Sequence, residues 1–334
     1  MKYRITILGA GSWGVTIADL LHKKGHQITL WEISKNQAEQ LTLKRQLPVL
    51  PYIFLADDIA ITPHIKEACA DAQILIMAVP SMHVRSTLET IKNLPAIKRD
   101  NLFMISVTKG IETATGQRIS QVITDVLPAF QNRIVALSGP SHAEEVARRI
   151  PTAVVAAGTN IELSVKTQNI FMNKYFRVYT NEDIIGVELG GSLKNIIALS
   201  CGIADGLMLG DNTKAALMTR GLAEMIRLGT ALDAKQETFA GLSGIGDLVV
   251  TCTSQHSRNR LFGEKMGQGK SFTQAMNEMV MVAEGVPTTK AVYELAKKLK
   301  IDMPITTEVY GILYKRKNPR RAIARLMLRK PKPE

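Results

Sequence analysis

A single charge interrupts a long apolar stretch in the second half of this 334-residue chain. Between Glu188 and Asp205 the only charged residue is Lys194. Removing an ammonium group from water costs several kcal/mol unless partners or a solvated cleft replace its hydration. A lysine in such surroundings is therefore a candidate acid or base. The sequence leaves an alternative open, in which Lys194 extends its amine to solvent from a half-buried helix or pairs with Glu188.

An acidic residue follows a glycine-dense segment further along the chain. The segment Gly241-Leu-Ser-Gly-Ile-Gly246 directly precedes Asp247 and the apolar run 248–250. Glycines at this density indicate close backbone packing or positive φ angles, so we expect a loop that sets Asp247 at a cramped site. An aspartate near Lys194 would keep the ammonium charged and oriented.

Three consecutive polar residues precede a helical pattern after residue 256. Ser257, Arg258 and Asn259 would place a hydroxyl, a guanidinium and an amide beside the N–H groups of a helix start. That combination suits a phosphate monoester. The alternative is an ordinary capped helix that carries an exposed arginine.

The first apolar segment of the chain runs into Gly9-Ala-Gly11-Ser-Trp-Gly14. Between a strand and a helix, this spacing predicts a dinucleotide site, because its glycines permit a tight turn, close approach of a pyrophosphate and close helix packing. The next apolar segment ends at Glu32, whose carboxylate would accept hydrogen bonds from the adenosine ribose and repel a 2′-phosphate. We therefore expect NAD(H) to be favoured over NADP(H), although Lys35 blurs that preference and Glu32 could simply be a solvated strand end.

Two further loops follow predicted strands, on the sheet edge where ligands gather in α/β proteins. Lys109 lies in Thr108-Lys-Gly-Ile-Glu112, and Ser138-Gly-Pro-Ser141-His-Ala143 offers N–H groups and a hydroxyl at a helix start. We expect both loops to face the ligands. The alternatives are a surface turn lysine at 109 and an N-cap serine at 141.

Apolar runs rich in Val, Ile and Leu alternate with amphipathic segments through the first half of the chain. Such continuous runs are typical of a parallel sheet buried on both faces. The predicted strands are 3–8, 27–31, 73–79, 102–108, 134–137, 152–157 and 176–179, with helices at 15–24, 34–46, 81–94 and 117–127. Helical patterns then follow at 186–204, 212–232, 256–266, 271–279 and 288–299. The predicted fold class is α/β, with a Rossmann-like doubly wound sheet in residues 1–185 followed by an all-α domain in residues 186–334.

Composition excludes several classes of protein. No apolar run reaches the length of a membrane span, and the opening run, 5–8, leads into glycines as a buried strand would, so we expect a cytoplasmic protein with no integral membrane segment. The three cysteines show no CxxC spacing and the histidines no ligand spacing, which argues against a disulfide framework and a metal site.

The positive charge is concentrated at the end of the sequence. Residues 315–334 contain nine Lys or Arg and one Glu, so they carry eight of the twelve net positive charges. The apolar spacing within 321–329 predicts a terminal helix that packs by one face and leaves a solvated basic face. A basic run alone is weak evidence for binding to nucleic acid or to an anionic membrane, and we expect no nucleic-acid partner.

With these residues identified, the chain resembles the bacterial glycerol-3-phosphate dehydrogenase family over nearly its whole length. Several motifs in the same order carry the resemblance. They are Gly9–Gly14, Thr108–Glu112, Ser138–Pro140, Glu188–Asn195, Gly244–Cys252, Ser257–Arg260 and Val282–Gly285.

The resemblance implies an enzyme that interconverts dihydroxyacetone phosphate and sn-glycerol 3-phosphate with NAD(H) or NADP(H), for phospholipid synthesis. It implies that Lys194 is the proton donor and acceptor, and a homodimer formed through the helical domain. The residues implied to contact substrate are Lys109, Gly139, Ser141, Lys194, Asp247, Ser257, Arg258 and Asn259. Those implied to contact the dinucleotide are Gly9, Gly11, Ser12, Trp13, Gly14, Glu32, Lys109, Ala143, Arg258, Val282 and Glu284.

Two positions depart from the family pattern. The family more often has threonine where Ser141 stands, which keeps the hydroxyl, and many members have a basic or neutral residue at the place of Glu32. The second departure puts a preference for NADP(H) in doubt.

Two other interpretations remain. A related reductase of a 2-keto acid or a nucleotide sugar could share the glycine turn and the lysine, but it would not need residues 257–259 for a phosphate. A dinucleotide-sensing or nucleic-acid-binding protein would account for the glycine turn and the basic end, but it would leave Lys194 and Asp247 without a role.

Overall fold

The apolar runs of the first half form the inner strands of one sheet. In the described part of the chain, residues 1–279 and 282–331 of this computed structural model, the sheet has eight strands in the order β3-β2-β1-β4-β5-β6-β7-β8. The strands are β1 (Arg4–Leu8), β2 (Gln27–Trp31), β3 (Ala60–Thr62), β4 (Ile74–Met77), β5 (Phe103–Ser106), β6 (Ile134–Ser138), β7 (Thr152–Ala157) and β8 (Phe176–Asn181). The predicted doubly wound α/β class is confirmed.

Helices connect these strands and cover both faces of the sheet. On β4 the side chains of Ile74 and Ile76 join one apolar cluster, and those of Leu75 and Met77 join another. Successive residues of a strand point to opposite faces, so each face of the sheet has its own core. The helices are α1 (Ser12–His22), α2 (Lys35–Lys44), α3 (Ile65–Cys69), α4 (Val84–Ile91), α5 (Ile119–Val126), α6 (Ala143–Ala147) and α7 (Ile161–Phe171).

The structure contains elements that the sequence did not predict, and one strand of the sheet runs in an unexpected direction. The short edge strand β3 and the helices α3 and α7 gave patterns too weak to identify, whereas α6 begins where a helix start was expected, at Ala143. Strand β7 runs antiparallel to β6, whereas the other neighbouring pairs are parallel. A parallel return needs a long crossover, and the connection between β6 and β7 contains only the five-residue helix α6.

The chain divides into two compact units. The first comprises Met1–Lys109 and Arg118–Val187, and the second comprises Gly110–Gln117 and the chain from Glu188 onward. The sequence did not predict that residues 110–117 belong to the second unit. Of the predicted second domain, residues 280–281 and 332–334 lie outside the described residues.

The second unit is helical, and its first helix is its most apolar. Helix α8 is long and apolar enough to cross a membrane, but 94% of its most apolar window is buried inside the protein, as in a core helix. The helices are α8 (Ile184–Gly206), α9 (Gly210–Thr230), α10 (Asp247–Thr253), α11 (Arg258–Gly267), α12 (Phe272–Asn277), α13 (Gly285–Leu299), α14 (Pro304–Lys315) and α15 (Pro319–Met327).

Glycines allow α8 and α11 to touch backbone to backbone. A Cβ atom on Gly202 would overlap the carbonyl oxygen of Arg260, and one on Gly206 would overlap that of Glu264. Likewise, a Cβ on Gly263, in α11, would overlap the carbonyl oxygen of Leu199, in α8. Small residues at a helix crossing permit this approach, and any larger side chain would force the two helices apart.

Helix α14, which the sequence pattern did not reveal, is capped by a residue from another helix. The buried carboxylate of Glu224, on α9, accepts hydrogen bonds from the backbone N–H groups of Ile305 (2.5 Å) and Thr306 (3.1 Å) and from the Thr306 hydroxyl (3.0 Å). These groups lie in the first turn, where N–H groups have no partner within the helix. Burial nevertheless raises the pKa of Glu224 to about 7, against the opposing effect of the hydrogen bonds.

Because the pKa of Glu224 is raised, we expect the stability of the protein to depend on pH. The substitution Glu224→Gln should remove this dependence. Between the ordinary glutamate value of 4.5 and about 7, the folded protein holds a proton that the unfolded chain releases. The free energy of unfolding should therefore fall as pH rises through this window, by on the order of 3 kcal/mol. Glutamine keeps an acceptor for the helix and does not titrate. Thermal unfolding of both proteins from pH 5 to pH 8 measures the difference, and parallel curves would contradict the assignment.

Candidate active site

The glycine turn after β1 has the geometry that its spacing predicts. Gly9 has a φ of 115°, in the region that favours glycine, and a Cβ there would lie 2.9 Å from the Ala78 carbonyl. A Cβ on Gly14 would overlap the carbonyl oxygen of Gly9. At Gly11, by contrast, a Cβ would have no described heavy atom within 4 Å. Gly9 and Gly14 are therefore required by the fold, whereas Gly11 faces open space.

That open space lies at the start of α1. Gly11 is the N-cap residue of this helix and, as a glycine, has no side chain of its own to cap it. The first N–H groups of a helix carry partial positive charge and attract anions. Ser12 and Trp13 begin the helix, with the indole half-buried against the core of the first unit. These features fit the pyrophosphate of a dinucleotide.

Glu32 is half-buried at the end of β2. Its carboxylate accepts a hydrogen bond from the backbone N–H of Ser34, at 3.0 Å. Lys35 lies 3.9 Å from Glu39 in an exposed ion pair one turn along α2. The carboxylate is thus held at the strand end, while the neighbouring ammonium interacts with a different residue.

Lys109 and Ser141 converge on one backbone group in the first unit. The Lys109 ammonium and the Ser141 hydroxyl both donate to the carbonyl oxygen of Gly139, each at 2.9 Å. Gly139 has a φ of 138° and passes close to the backbone of Val154. The N-cap alternative for Ser141 is wrong, because α6 starts at Ala143 with His142 as its N-cap.

Lys194 lies in the middle of α8 and is 5% exposed. Its ammonium forms an ion pair with the Asp247 carboxylate and donates to the Thr251 hydroxyl at 2.7 Å. Asp247 is 1% exposed. The alternative of a lysine that reaches solvent from a half-buried helix is therefore wrong. The carboxylate stabilises the ammonium charge inside the protein.

Close packing one turn earlier brings this pair together. A Cβ on Gly190 would lie 2.5 Å from the carbonyl oxygen of Ser243. Lys194 and Asp247 each follow these residues by four positions. The expected glycine loop is in fact a helical turn, Leu242–Gly246, that leads into α10. Asp247 therefore begins a helix, where its negative charge is favourable.

Two residues near Lys194 were missed by the sequence analysis. Thr251 accepts from Lys194 while its own hydroxyl donates to the Asp247 carbonyl oxygen at 2.6 Å. Asn195 accepts a hydrogen bond from the Asn259 amide at 2.8 Å. Thr251 lies four positions after Asp247, a spacing that puts side chains on one helical face, but this signal needed a helix to be predicted there.

The polar triplet at the start of α11 forms a capped helix start with an exposed arginine, as the alternative interpretation expected, and its third residue is buried. Ser257 is the N-cap, accepting from the backbone N–H of Arg260 at 3.2 Å, and Arg258 is exposed. Asn259 is buried: its amide oxygen accepts from the N–H of Gly285 at 2.8 Å, and its nitrogen donates to Asn195. Asn259 thus joins α11 to α8 and α13.

The remaining predicted contacts lie just before α13. Val282 is 41% exposed and Glu284 is the N-cap residue of this helix. The bond between Asn259 and Gly285 places their segment beside α11. The second unit thus brings together Lys194, Asp247, Asn259 and the start of α13, while the glycine turn, Glu32, Lys109, Gly139, Ser141 and Ala143 belong to the first unit.

A pair of thiols lies next to the Lys194 ion pair. Cys201 and Cys252 are both fully buried, and Cys252 directly follows Thr251. Burial, together with a hydrogen bond to Cys201, raises the pKa of the Cys252 thiol well above its usual value. Among the described residues no three His, Cys, Asp or Glu side chains form a group that could hold a metal ion.

Comparison with known proteins covers both units. Models described as the N-terminus and the C-terminus of NAD-dependent glycerol-3-phosphate dehydrogenase match residues 4–164 and 183–324. A glycerol-3-phosphate dehydrogenase (NAD(P)+) of Thermoanaerobacter sp. (strain X514) is 51% identical over 331 residues, 99% of this chain and 98% of that protein. The protein of that name from Prosthecochloris aestuarii is 50% identical and covers 99% of each chain. The crystal structure of glycerol-3-phosphate dehydrogenase from Coxiella burnetii matches with a TM-score of 0.93 and 36% identity, over 98% of this chain and 99% of that one.

The glycine geometry predicts opposite effects for two alanine substitutions. Gly14→Ala should destabilise the protein by about 1–3 kcal/mol, because its methyl group overlaps the backbone of Gly9. Gly11→Ala should leave the melting temperature nearly unchanged, but weaken NADH binding at least about tenfold, since the methyl group fills the space for the pyrophosphate. Thermal unfolding and NADH fluorescence titration measure the two effects. Tight NADH binding by Gly11→Ala would contradict the placement of the dinucleotide.

Proposed function

Because the chain belongs to the NAD-dependent glycerol-3-phosphate dehydrogenase family, we propose that Lys194 is the proton donor and acceptor of its reaction. The protein is an NAD(P)-dependent oxidoreductase that interconverts dihydroxyacetone phosphate and sn-glycerol 3-phosphate, supplying the latter for phospholipid synthesis. The observation that supports the catalytic assignment is the buried ammonium of Lys194, held by Asp247 and Thr251. The matches in both units favour this activity over a 2-keto acid reductase, a nucleotide-sugar reductase or a non-enzymatic protein.

Lys194 has the chemistry that carbonyl reduction requires. A reduced nicotinamide, when bound, would supply the hydride that reduces C2 of dihydroxyacetone phosphate, and the C2 oxygen would gather negative charge. An ammonium that is already oriented stabilises this charge and donates the proton that completes the alcohol. In the reverse direction the neutral amine of Lys194 accepts the hydroxyl proton. Asp247 and Thr251 act through Lys194 by fixing the position of its nitrogen.

The phosphate of the substrate is assigned to the start of α11. The exposed guanidinium of Arg258 can form paired hydrogen bonds with phosphate oxygens. The Asn259 amide, which uses its oxygen and one N–H within the protein, has a second N–H to donate. Ser257 fixes the helix start. Lys109, Gly139 and Ser141 complete the proposed substrate contacts and supply positive potential from Lys109.

The dinucleotide is assigned to the glycine turn. Gly9 and Gly14 shape the turn, Gly11 leaves space for the pyrophosphate, and Ser12 and Trp13 flank it. Glu32 would accept hydrogen bonds from the ribose hydroxyls. The further proposed contacts are Lys109, Ala143, Arg258, Val282 and Glu284. This assignment divides the chain at residue 185 into a dinucleotide-binding part and a substrate-binding part, in a cytoplasmic enzyme that forms a homodimer through its helical part.

Lys194→Ala should abolish turnover while largely retaining NADH binding. Loss of both charge stabilisation and proton donation is expected to lower kcat by at least about 1,000-fold. Steady-state kinetics with dihydroxyacetone phosphate and NADH fluorescence titration measure the two properties. If Lys194→Ala retains full turnover, Lys194 is not the proton donor and acceptor.

A double variant separates catalysis from stability in this test. Lys194→Ala leaves the Asp247 carboxylate buried without its ion-pair partner, which typically costs about 3–5 kcal/mol. Lys194→Met combined with Asp247→Asn removes both charges and should regain most of this stability. It should remain inactive, and recovery of turnover together with stability would show that the charge pair is structural.

Glu32 predicts a preference for NADH over NADPH. The carboxylate accepts from ribose hydroxyls and repels a 2′-phosphate, so kcat/KM for dihydroxyacetone phosphate should be higher with NADH. Glu32→Ser should shift the ratio of the two cofactors toward NADPH without changing kcat with NADH. Parallel spectrophotometric assays measure this, with unphosphorylated dihydroxyacetone as the control that should not be reduced. Equal or better use of NADPH by the unaltered protein would contradict the argument from Glu32.

A further inference from the structure

The last described helix packs on the protein by one narrow face. In α15 Ala322 is 1% exposed, and Ile323 and Leu326 are partly buried against the helical unit. These three positions fall on one side of a helix. The Asn318 side chain caps its start by accepting from the N–H groups of Arg320 and Arg321. The helix is therefore a fixed element with a defined outer side.

The outer side carries unbalanced positive charge. We call it, together with two exposed residues that follow the helix, the basic terminal face; it consists of Arg320, Arg321, Ala324 and Met327 on α15 and of Leu328 and Lys330 after it, all exposed. The acidic residues nearby interact with other cations: Glu308 pairs with Lys317 and Arg325, and Asp302 pairs with Arg329. Among the described residues no ion pair to an acidic group involves the three cations of the basic terminal face.

Large apolar side chains stand among these cations. Met327 is 80% exposed and Leu328 is 84% exposed, at the end of the helix. Arginine and lysine beside exposed apolar residues on an amphipathic helix are typical of a segment that lies in the headgroup layer of a membrane. The cations meet anionic headgroups, and the apolar side chains enter the acyl boundary.

Nucleic acid fits this surface less well. The segment 315–334 contains no aromatic residue, so it offers no side chain on which bases could stack. Contacts with a duplex backbone would use the cations but would leave Met327 and Leu328 in water. The apolar side chains therefore favour a lipid partner.

We propose that the basic terminal face docks this protein onto the surface of an anionic lipid bilayer. The docking is peripheral, because it uses one face of a short helix. It is separate from the reaction, since none of the six residues belongs to the proposed substrate or dinucleotide contacts.

Vesicle sedimentation of the full-length protein tests the proposal directly. The protein should bind vesicles of phosphatidylcholine mixed with phosphatidylglycerol and should not bind phosphatidylcholine alone. Added salt should weaken this binding, since the attraction is electrostatic. If the unaltered protein does not bind the mixed vesicles at low salt, the proposal is wrong.

Matched variants then locate the surface. Arg320→Glu, Arg321→Glu and Lys330→Glu together should weaken binding more than about thirtyfold. The control carries Lys66→Glu, Lys98→Glu and Lys297→Glu, which are also exposed and change the net charge equally, and it should bind normally. Turnover of dihydroxyacetone phosphate should be unchanged in both proteins. Equal binding by the two triple variants would overturn the assignment to this face.

Substitution of the two exposed apolar side chains tests whether the partner is a lipid bilayer or a nucleic acid. Met327→Ser with Leu328→Ser should weaken vesicle binding several-fold and retain all of the charge. If this variant binds vesicles as well as the unaltered protein does, and duplex DNA competes the vesicles off, the surface is a nucleic-acid site and the proposal fails.

Discussion

One buried positive charge constrains the helical unit of this enzyme. An ammonium inside an apolar helix is tolerable only if a carboxylate meets it directly, and here Asp247 meets Lys194. Contact between the charges requires α8 and the turn before α10 to approach at backbone distance, which Gly190 permits. The arrangement fixes the position of the lysine nitrogen before substrate arrives. Electrostatic stabilisation is strongest when the charge needs no rearrangement during the reaction.

Glycine serves two different purposes in this molecule. At Gly14 and Gly190, and where α8 crosses α11, the absence of a side chain lets protein approach protein, and the contact partner is a carbonyl oxygen. At Gly11 no heavy atom from the described part of the chain, its two chain neighbours apart, lies within 4 Å of the position that a Cβ would take. The first kind holds the fold together, and the second leaves open space at the start of α1. A sequence motif alone does not distinguish these two roles of glycine, whereas the atoms around each glycine in the structure do.

Sequence reasoning reached the fold class and the proximity of Asp247 to Lys194, and it failed where the signals are short or depend on tertiary contacts. The strands of continuous Val, Ile and Leu were identifiable because both faces of the sheet are buried. The three-residue strand β3 has too few residues to show a pattern. Asp247 was expected in a loop because its glycines suggested an irregular backbone, yet they serve close packing within a helical turn. The start of α14 had no local cap to find, because its cap, Glu224, lies about eighty residues earlier, a separation that no local pattern reports.

Desolvation has also left the cysteines of this protein chemically silent. Cys201 and Cys252 are buried beside the ion pair, and Cys69 lies in the core of the first unit, where burial raises its pKa to about 12. Thiol reagents attack an accessible thiolate; burial shields all three thiols from such reagents, and the raised pKa values of Cys69 and Cys252 keep these two protonated near neutral pH. A single cysteine introduced on the surface would therefore be the one reactive thiol of the whole chain. The protein is consequently suited to attachment of one fluorophore or spin label at a chosen position, with its native cysteines left in place.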